Sequence, residues 1–145
     1  MENRKSTPIA IKIKTEVFQH NEFKEFLVEV EGQLVRIGEV LYLRYEEEME
    51  GVEKKVPVTI KLLPTGDVTL IRAGEVRMKL HFAYQEQKDC QYNTPYGTMM
   101  ISTFTNKMHV SLKDNPYSGD ITCDYDLFAG TEKIGVYHLN IAFTA

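Results

Sequence analysis

Tyr92-Asn93-Thr94-Pro95-Tyr96-Gly97-Thr98-Met99 is the stretch of this sequence from which the fold can be worked out. A proline has no backbone N–H for a β-ladder, so Pro95 predicts a strand edge, a bulge or a corner. Gly97 can bend the chain where other residues cannot. We therefore expect the strand before this stretch (88–94) and the strand after it (98–105) to meet at a sharp corner, through which a sheet closes on itself.

Apolar and polar residues alternate over most of the chain on both sides of this stretch. A period of two predicts β-strands, and the alternation from Val76 to Tyr84 is its clearest example. Pro64-Thr65-Gly66-Asp67 is the strongest turn signal between such segments. Further turns or loops are expected at 20–22, 38, 73–74, 106–107, 114–119 and 129–132. Gly32 is expected to mark a bulge or bend.

The connections between the predicted strands are short, and no helix is long enough for a parallel crossover. Successive strands should therefore pair antiparallel as a meander. Closure would remove the exposed edges of so large a sheet, so we expect an all-β, antiparallel meander β-barrel of about 8–10 strands. A β-sandwich is the alternative. Pro57 marks its own segment as an edge strand or a strand beside a corner.

Length and charge limit the classes of protein to which the chain can belong. Its 145 residues suit one domain, for which we expect a barrel over 1–145 with a flexible N-terminus at 1–7. With 17 basic and 21 acidic residues the net charge is −4, and no basic stripe predicts nucleic-acid binding. The acidic run 46–50 is interpreted as a solvated strand end or loop, with a cation or partner site as the alternative.

Cys90 and Cys123 form neither a CxxC pair nor a disulfide framework. The N-terminal segment 1–8 lacks the apolar core of a signal peptide, and no apolar run approaches the ~20 residues of a membrane span. We therefore expect a cytoplasmic protein with reduced cysteines and no membrane partner.

Three segments resemble the motifs of the YwiB-like family, a domain-of-unknown-function family of Gram-positive bacteria. They are Tyr42-Leu43-Arg44-Tyr45-Glu46-Glu47, Thr69-Leu70-Ile71-Arg72-Ala73-Gly74-Glu75-Val76 and Tyr92-Asn93-Thr94-Pro95-Tyr96-Gly97. Their order and spacing cover essentially the whole chain, and Ala73 departs from the serine more often expected there. The resemblance implies a lipocalin-like, calycin-type β-barrel. It implies no activity, because the family has no established one.

No catalytic or cofactor motif is present in the sequence. Gly-rich phosphate loops are missing, the four histidines are scattered singly, and neither cysteine lies in a nucleophile motif. Asp124 and Asp126 alternate onto one strand face, which we interpret as a solvated outer face. We therefore predict no catalytic residue, no metal site and no cofactor.

The candidate ligand-binding residues are Arg44, Tyr45, Arg72, Glu75, Tyr92 and Tyr96. Barrels place function at the mouth or in the lumen, where a few polar groups orient a ligand. Arg72 precedes the Ala73-Gly74 turn and Glu75 follows it, so the guanidinium can fork onto a carboxylate of Glu75 or of a ligand. An Arg–Glu clamp that closes the barrel end, a ligand anchor and a protein contact are the alternatives. The hydroxyls of Tyr92 and Tyr96 are expected to bond backbone groups at the corner.

These observations favour two functions. One is a binding protein for a small apolar or carboxylate ligand in the barrel lumen or mouth, lined by flexible methionines (Met78, Met99, Met100 and Met108). The other is a structural or protein-interaction module that works through its outer face or the edge near Pro57. Large residues predicted to face inward favour this second, side-chain-filled barrel: Phe82, Tyr84, Tyr125 and Phe143. The sequence specifies no oligomeric state.

Overall fold

Ten β-strands make up the protein in a computed structural model that describes residues 5–48, 55–114 and 117–145. The strands are β1 (Lys5–Gln19), β2 (Glu22–Ile37), β3 (Val40–Glu47), β4 (Val56–Leu62), β5 (Val68–Ala73), β6 (Arg77–Phe82), β7 (Gln87–Thr94), β8 (Gly97–Lys113), β9 (Ser118–Ala129) and β10 (Glu132–Thr144).

Each strand pairs antiparallel with its neighbours in sequence, and β1 also pairs with β10, so the sheet closes into a barrel. The predicted all-β meander barrel is confirmed, and the sandwich is not adopted. No helix in the described part of the chain is long and apolar enough to cross a membrane.

Side chains of alternate residues fill the barrel interior. Leu43, Ile60, Ile121 and Ile141 are completely buried near its centre. The aromatic residues Phe82, Tyr125 and Phe143 are also buried, as predicted. Tyr84 is exposed instead, because it lies beyond the end of β6.

The predicted corner at 92–99 is a hairpin turn, and the closure role assigned to it is wrong. Thr94 pairs directly with Gly97, so Pro95 and Tyr96 form the tip of the β7–β8 hairpin. The Thr94 hydroxyl accepts from the Tyr96 N–H (3.1 Å) and donates to the Gly97 carbonyl (3.0 Å). Gly97 has φ +134°, which explains the glycine. The barrel closes elsewhere, between β1 and β10.

Two further expectations are corrected at strand β8 and at the N-terminus. The segment 106–107 is a bulge inside β8 and not a turn, because the register with β9 shifts there while the strand continues to Lys113. Residues 5–7 belong to β1 and pair with β2, although they were expected in a flexible N-terminus. The turns at 20–22, 38, 64–67, 73–74 and 129–132 fall where predicted, and positive φ angles at His20, Gly38, Gly66 and Gly130 reflect their tight geometry. Of the predicted loop 114–119, residues 115–116 lie outside the described residues, and Ser118 and Gly119 begin β9.

The ring has a weak seam between β2 and β3. These two strands pair only from Gln33↔Arg44 to Ile37↔Val40, although β2 pairs with β1 along its whole length. Among the described residues, nothing pairs with β2 from Glu22 to Gly32 on the side away from β1. In the part of the chain that the structure describes, β2 from Glu22 to Gly32 is therefore an open edge, and the barrel end beside it is split.

The seam between β6 and β7 is also short, but side chains seal it. Backbone pairing runs only from Arg77 to Lys79 on β6. Beyond it, the His81 N–H donates to the Cys90 sulfur (3.3 Å), and the Thr103 hydroxyl donates to the His81 carbonyl. Among the described residues, no side-chain hydrogen bonds of this kind join β2 to β3.

Gly32 marks the point at which β2 and β3 separate. A Cβ at this position would lie 2.5 Å from the Arg44 carbonyl oxygen and 2.7 Å from Ile11 Cδ1. Only glycine permits so close an approach of the two backbones. The sequence analysis predicted a bulge or bend here; the register with β1 is unbroken, so close approach is the reason for the glycine.

Gly32→Ala is predicted to lower the free energy of unfolding by about 1–3 kcal/mol, because overpacking forces the Arg44 backbone to move. Urea denaturation measures the change, and Glu31→Ala, at the neighbouring exposed position, is the control. Equal stability of the two variants would contradict the close approach.

Candidate functional site

An arginine and a glutamate, both facing inward, form the main polar contact at the split end of the barrel. Arg72 Nε donates to Glu47 Oε2 (3.1 Å) and Nη2 donates to Oε1 (3.3 Å), which gives a forked pair. Alternation explains their direction, since Glu47 follows the inward residues of β3 and Arg72 follows those of β5. The pair is partly shielded, with 34% of the Arg72 side chain and 16% of the Glu47 side chain exposed.

The fork was predicted at Arg72, but its partner was predicted wrongly. Glu75 is exposed after the turn that ends β5, and the carboxylate comes from Glu47 on β3. The interpretation of the run 46–50 as solvated is therefore wrong for Glu47, whereas residues 49–50 lie outside the described residues. Sequence separation hid this partner, because the contact joins strands that are not neighbours in the sheet.

Three tyrosines complete what we call the mouth cluster, defined as Tyr45, Glu47, Arg72, Tyr125 and Tyr137. Tyr125 stacks on Tyr137 with ring centroids 5.0 Å apart. Burial raises the pKa of Tyr45 above its ordinary value, with Glu47 adding to the shift and Arg72 opposing it. Burial likewise raises the pKa values of Tyr125 and Tyr137.

The chemistry open to the mouth cluster follows from these protonation states. Its tyrosines remain neutral at physiological pH, so none of them can act as a base. The Arg72 charge is balanced by Glu47. The cluster is arranged to hold the barrel end together, and Arg72 is its one group suited to anchoring an anion.

The other predicted site residues do not join this cluster. Arg44 points outward and lies over the Tyr42 ring (5.3 Å to the centroid). Tyr92 is half-buried against the core, and Tyr96 is fully exposed at the hairpin tip. Met78 and Met108 pack on the core, whereas Met99 and Met100 are exposed. The six residues therefore do not all lie together in one place.

A groove with a volume of about 1070 Å³ lies at the β2–β3 seam. We call it the seam groove. Its exposed or half-buried lining includes Glu31, Gly32 and Gln33 from β2, Arg44 and Glu46 from β3, and Pro8, Ala10, Pro57 and Thr144 from flanking strands. Three buried inward residues also line it, namely Ile9, Tyr45 and Val58. Pro57 pairs with Glu46 but lies beyond the ladder to β5, which begins at Val58. The prediction that Pro57 stands at an edge or beside a corner agrees with this position.

The thiols and imidazoles do not form a reactive site. Burial raises the pKa of Cys123 to about 12, and burial also raises that of Cys90. His138 lies 2.9 Å from Asp124 at an exposed position. In the described ranges, no group of three or more His, Cys, Asp or Glu residues could hold a metal ion.

Comparison with known proteins identifies the family. A family model described as "Domain of unknown function (DUF1934)" matches residues 11–141. The chain belongs to this family.

A curated relative and a solved structure agree with this assignment. The uncharacterized beta-barrel protein YwiB of Bacillus subtilis (strain 168) is 23% identical over 140 residues, which cover 97% of this chain and 95% of that protein. The crystal structure of the ywiB protein from Bacillus subtilis matches with a TM-score of 0.82 and 22% identity, over 97% of this chain and 92% of that one. The predicted YwiB-like family is thereby confirmed, and at this identity the structural likeness shows the fold alone.

Sequence reasoning missed the seam groove as a site within this DUF1934 barrel. Gly32, interrupting an otherwise regular strand, and Pro57, inside another, were both noticed as bends or edges. What could not be read was that the two positions border the same groove, because that depends on the register of β2 against β3.

Removing either member of the Arg72–Glu47 pair is predicted to destabilise the fold more than removing an exposed pair does. Arg72→Met or Glu47→Gln leaves a partly buried polar group without its partner, which costs about 1–3 kcal/mol. A double-mutant cycle measured by urea unfolding gives the coupling.

The control cycle is Lys12→Met with Glu29→Gln, whose side chains are 61% and 67% exposed. Coupling in this exposed pair should be about 0.2–1 kcal/mol. A coupling at Arg72–Glu47 no larger than the control would show that the mouth cluster does not hold the barrel end.

Proposed function

We propose that this chain is a protein-interaction module that binds a partner polypeptide in the seam groove. The observation that carries the proposal is the groove itself, which combines a concave outer surface with an open strand edge. Its walls mix small apolar residues with charged ones of both signs, notably Ala10, Pro57, Arg44 and Glu46. Such a surface offers contacts to an extended chain and hydrogen bonds to its backbone.

The barrel interior favours an outer site over a site in the lumen. Ligand-holding barrels keep a space among their inward side chains, whereas small barrels can be filled by them. Here the inward positions carry large residues, and the rings of Phe82 and Tyr125 pack with their centroids 4.6 Å apart and their planes inclined at 47°. Both residues are buried within one continuous apolar cluster.

Filling the seam groove is predicted to abolish peptide binding. Ala10 is exposed and borders the groove, so Ala10→Trp should block it without disturbing the core. A random peptide library displayed on phage is selected on the wild-type protein. Recovered peptides should bind the variant about tenfold or more weakly, a loss of roughly 1.4 kcal/mol of binding free energy.

Ser111→Trp, which adds the same indole to the outer face of β8, is the control for added bulk. It should leave peptide binding unchanged. Selection of no peptides, or of peptides that bind the wild type and Ala10→Trp equally well, would refute a binding role for the groove.

A small carboxylate ligand at the barrel mouth is a second candidate function. It is favoured by one observation, the inward Arg72 guanidinium, of which about a third of the side chain is exposed beside Tyr45. A ligand carboxylate could replace Glu47 in the fork, while apolar parts of the ligand lie along the rim.

This candidate predicts that a carboxylate ligand raises the melting temperature of the wild type but not of Arg72→Met. A panel of aliphatic and aromatic carboxylates in a thermal-shift assay tests it, with the corresponding amides as controls. If acids and amides leave the wild-type melting temperature equally unchanged, the mouth is a structural clamp only.

A further inference from the structure

The open edge of β2 below the seam groove is long and regular. From Glu22 to Gly32, half of the backbone N–H and C=O groups point away from β1, and no described strand receives them. Proteins blunt such edges with prolines, bulges, very short strands or charged side chains. Of these devices the edge carries charged side chains, as Lys24 opposite the inward Val17 and as glutamates on the outer face. This edge contains no proline, and its register with β1 is unbroken.

Exposed apolar side chains accompany this edge. Phe23, Phe26 and Leu27 are each more than half exposed. Phe23 and Leu27 lie on the outer face, whereas Phe26 has the parity of the inward residues Val28 and Val30. The edge therefore offers unpaired backbone groups together with apolar surface on both sides.

Acidic residues separate the apolar ones on the outer face, where Glu25, Glu29 and Glu31 alternate with Phe23 and Leu27. In an antiparallel pair, directly opposite side chains lie on the same face and interact, favourably for opposite charges and unfavourably for like charges. A strand placed against this edge should thus carry basic residues opposite the glutamates and apolar residues opposite Phe23 and Leu27.

We infer that β2 binds an extended, basic–apolar segment of a partner protein by strand addition. The outward residues of that segment alternate lysine or arginine with apolar side chains, and its inward residues are apolar. The added strand lies along Glu22–Gly32 and continues into the seam groove. The inference rests on the proposed interaction function and specifies its mode and its partner chemistry.

A second copy of this chain fits the edge poorly. Two-fold antiparallel pairing of β2 with itself joins positions whose numbers have an even sum. Registers centred on Glu25 or Glu29 oppose that glutamate to its own copy. The register centred on Leu27 opposes Glu25 to Glu29, and the register centred on Val28 opposes Glu25 to Glu31. The register centred on Phe26 avoids this, but it sets Phe23 against Glu29 and Leu27 against Glu25. The acidic face also disfavours an anionic membrane surface.

The test uses a fluorescein-labelled synthetic peptide of nine residues, Lys-Val-Lys-Val-Val-Val-Lys-Val-Val, added to the full chain. In the antiparallel pairing its lysines lie opposite Glu31, Glu29 and Glu25, and valines lie opposite Leu27 and Phe23. Fluorescence anisotropy gives its affinity, and a valine–glutamate peptide of the same length is compared with it. We expect the lysine peptide to bind about tenfold or more tightly, and increasing salt to reduce the difference.

Glu29→Lys combined with Glu31→Lys should reverse this preference. The matched control is Glu39→Lys with Glu86→Lys, which makes the same change of charge away from the edge. The two variants are also matched in the ion pairs that they remove. The edge variant removes the exposed pair of Glu29 with Lys12, and the control removes the exposed pair of Glu86 with Lys88. The control should keep the preference for the lysine peptide.

Several results would overturn the inference. Equal affinity for the two peptides would refute the basic–apolar chemistry of the partner. The same chemistry would be refuted if the control variant changed the preference for the lysine peptide as much as the edge variant did. If library-selected peptides still bind the groove in that case, the proposed function stands and only its partner chemistry fails. Binding of neither designed peptide overturns strand addition. So does a dimer in sedimentation that Phe23→Ser abolishes, or Phe23-dependent binding to phosphatidylcholine vesicles.

Discussion

The close approach of β2 and β3 at Gly32 is the constraint on which the shape of this barrel depends. On one side of Gly32 the two strands pair as far as Ile37↔Val40 and complete the ring. On the other side β2 stays with β1, and β3 stays with β4, so the barrel end splits. Because the approach leaves no room for a Cβ, the position of one glycine sets where closure stops.

The split end is held by polar contacts, and the rest of the barrel is held by apolar burial. Arg72 and Glu47 bridge β5 and β3 across the mouth, beside tyrosines that burial keeps protonated. At the seam between β6 and β7, Cys90 and Thr103 supply the hydrogen bonds that the short backbone ladder lacks. The two seams differ in their contacts. Side chains bond across the β6–β7 seam, whereas among the described residues nothing pairs with the β2 edge, and exposed apolar side chains lie beside it. This combination is typical of surfaces that pair with another chain.

Much of the architecture could be predicted from alternation and turn residues, because both are local properties of the sequence. Alternation placed Phe82, Tyr125 and Phe143 inside the barrel, and glycines marked several turns correctly. The errors arose where tertiary pairing decides the outcome. Asn106 lies in a bulge, where the register of β8 against β9 shifts at a polar residue while the strand continues. Thr94-Pro95-Tyr96-Gly97 forms a hairpin turn where a corner was predicted. The sequence did not separate the two because hairpin turns and corners have the same local composition.

The candidate site was predicted less well than the fold, for a related reason. The inward direction of Arg72 follows from alternation, but its partner depends on which strands face each other across the interior. Glu47 was hidden in an acidic run whose neighbours Glu46 and Glu48 are exposed. The open edge could not be read at all, because β2 is a regular strand in sequence and only the register with β3 shows where its pairing ends.

Amide hydrogen exchange along β2, followed by NMR, tests the central claim of an open edge most directly. Every second amide between Glu22 and Gly32 points away from β1. We expect these amides to exchange rapidly and the alternate ones, which are bonded to β1, to be protected. Both sets should be protected from Gln33 to Ile37. Uniform protection from Glu22 to Ile37 would show that the edge is already paired within the protein, which would contradict an open edge.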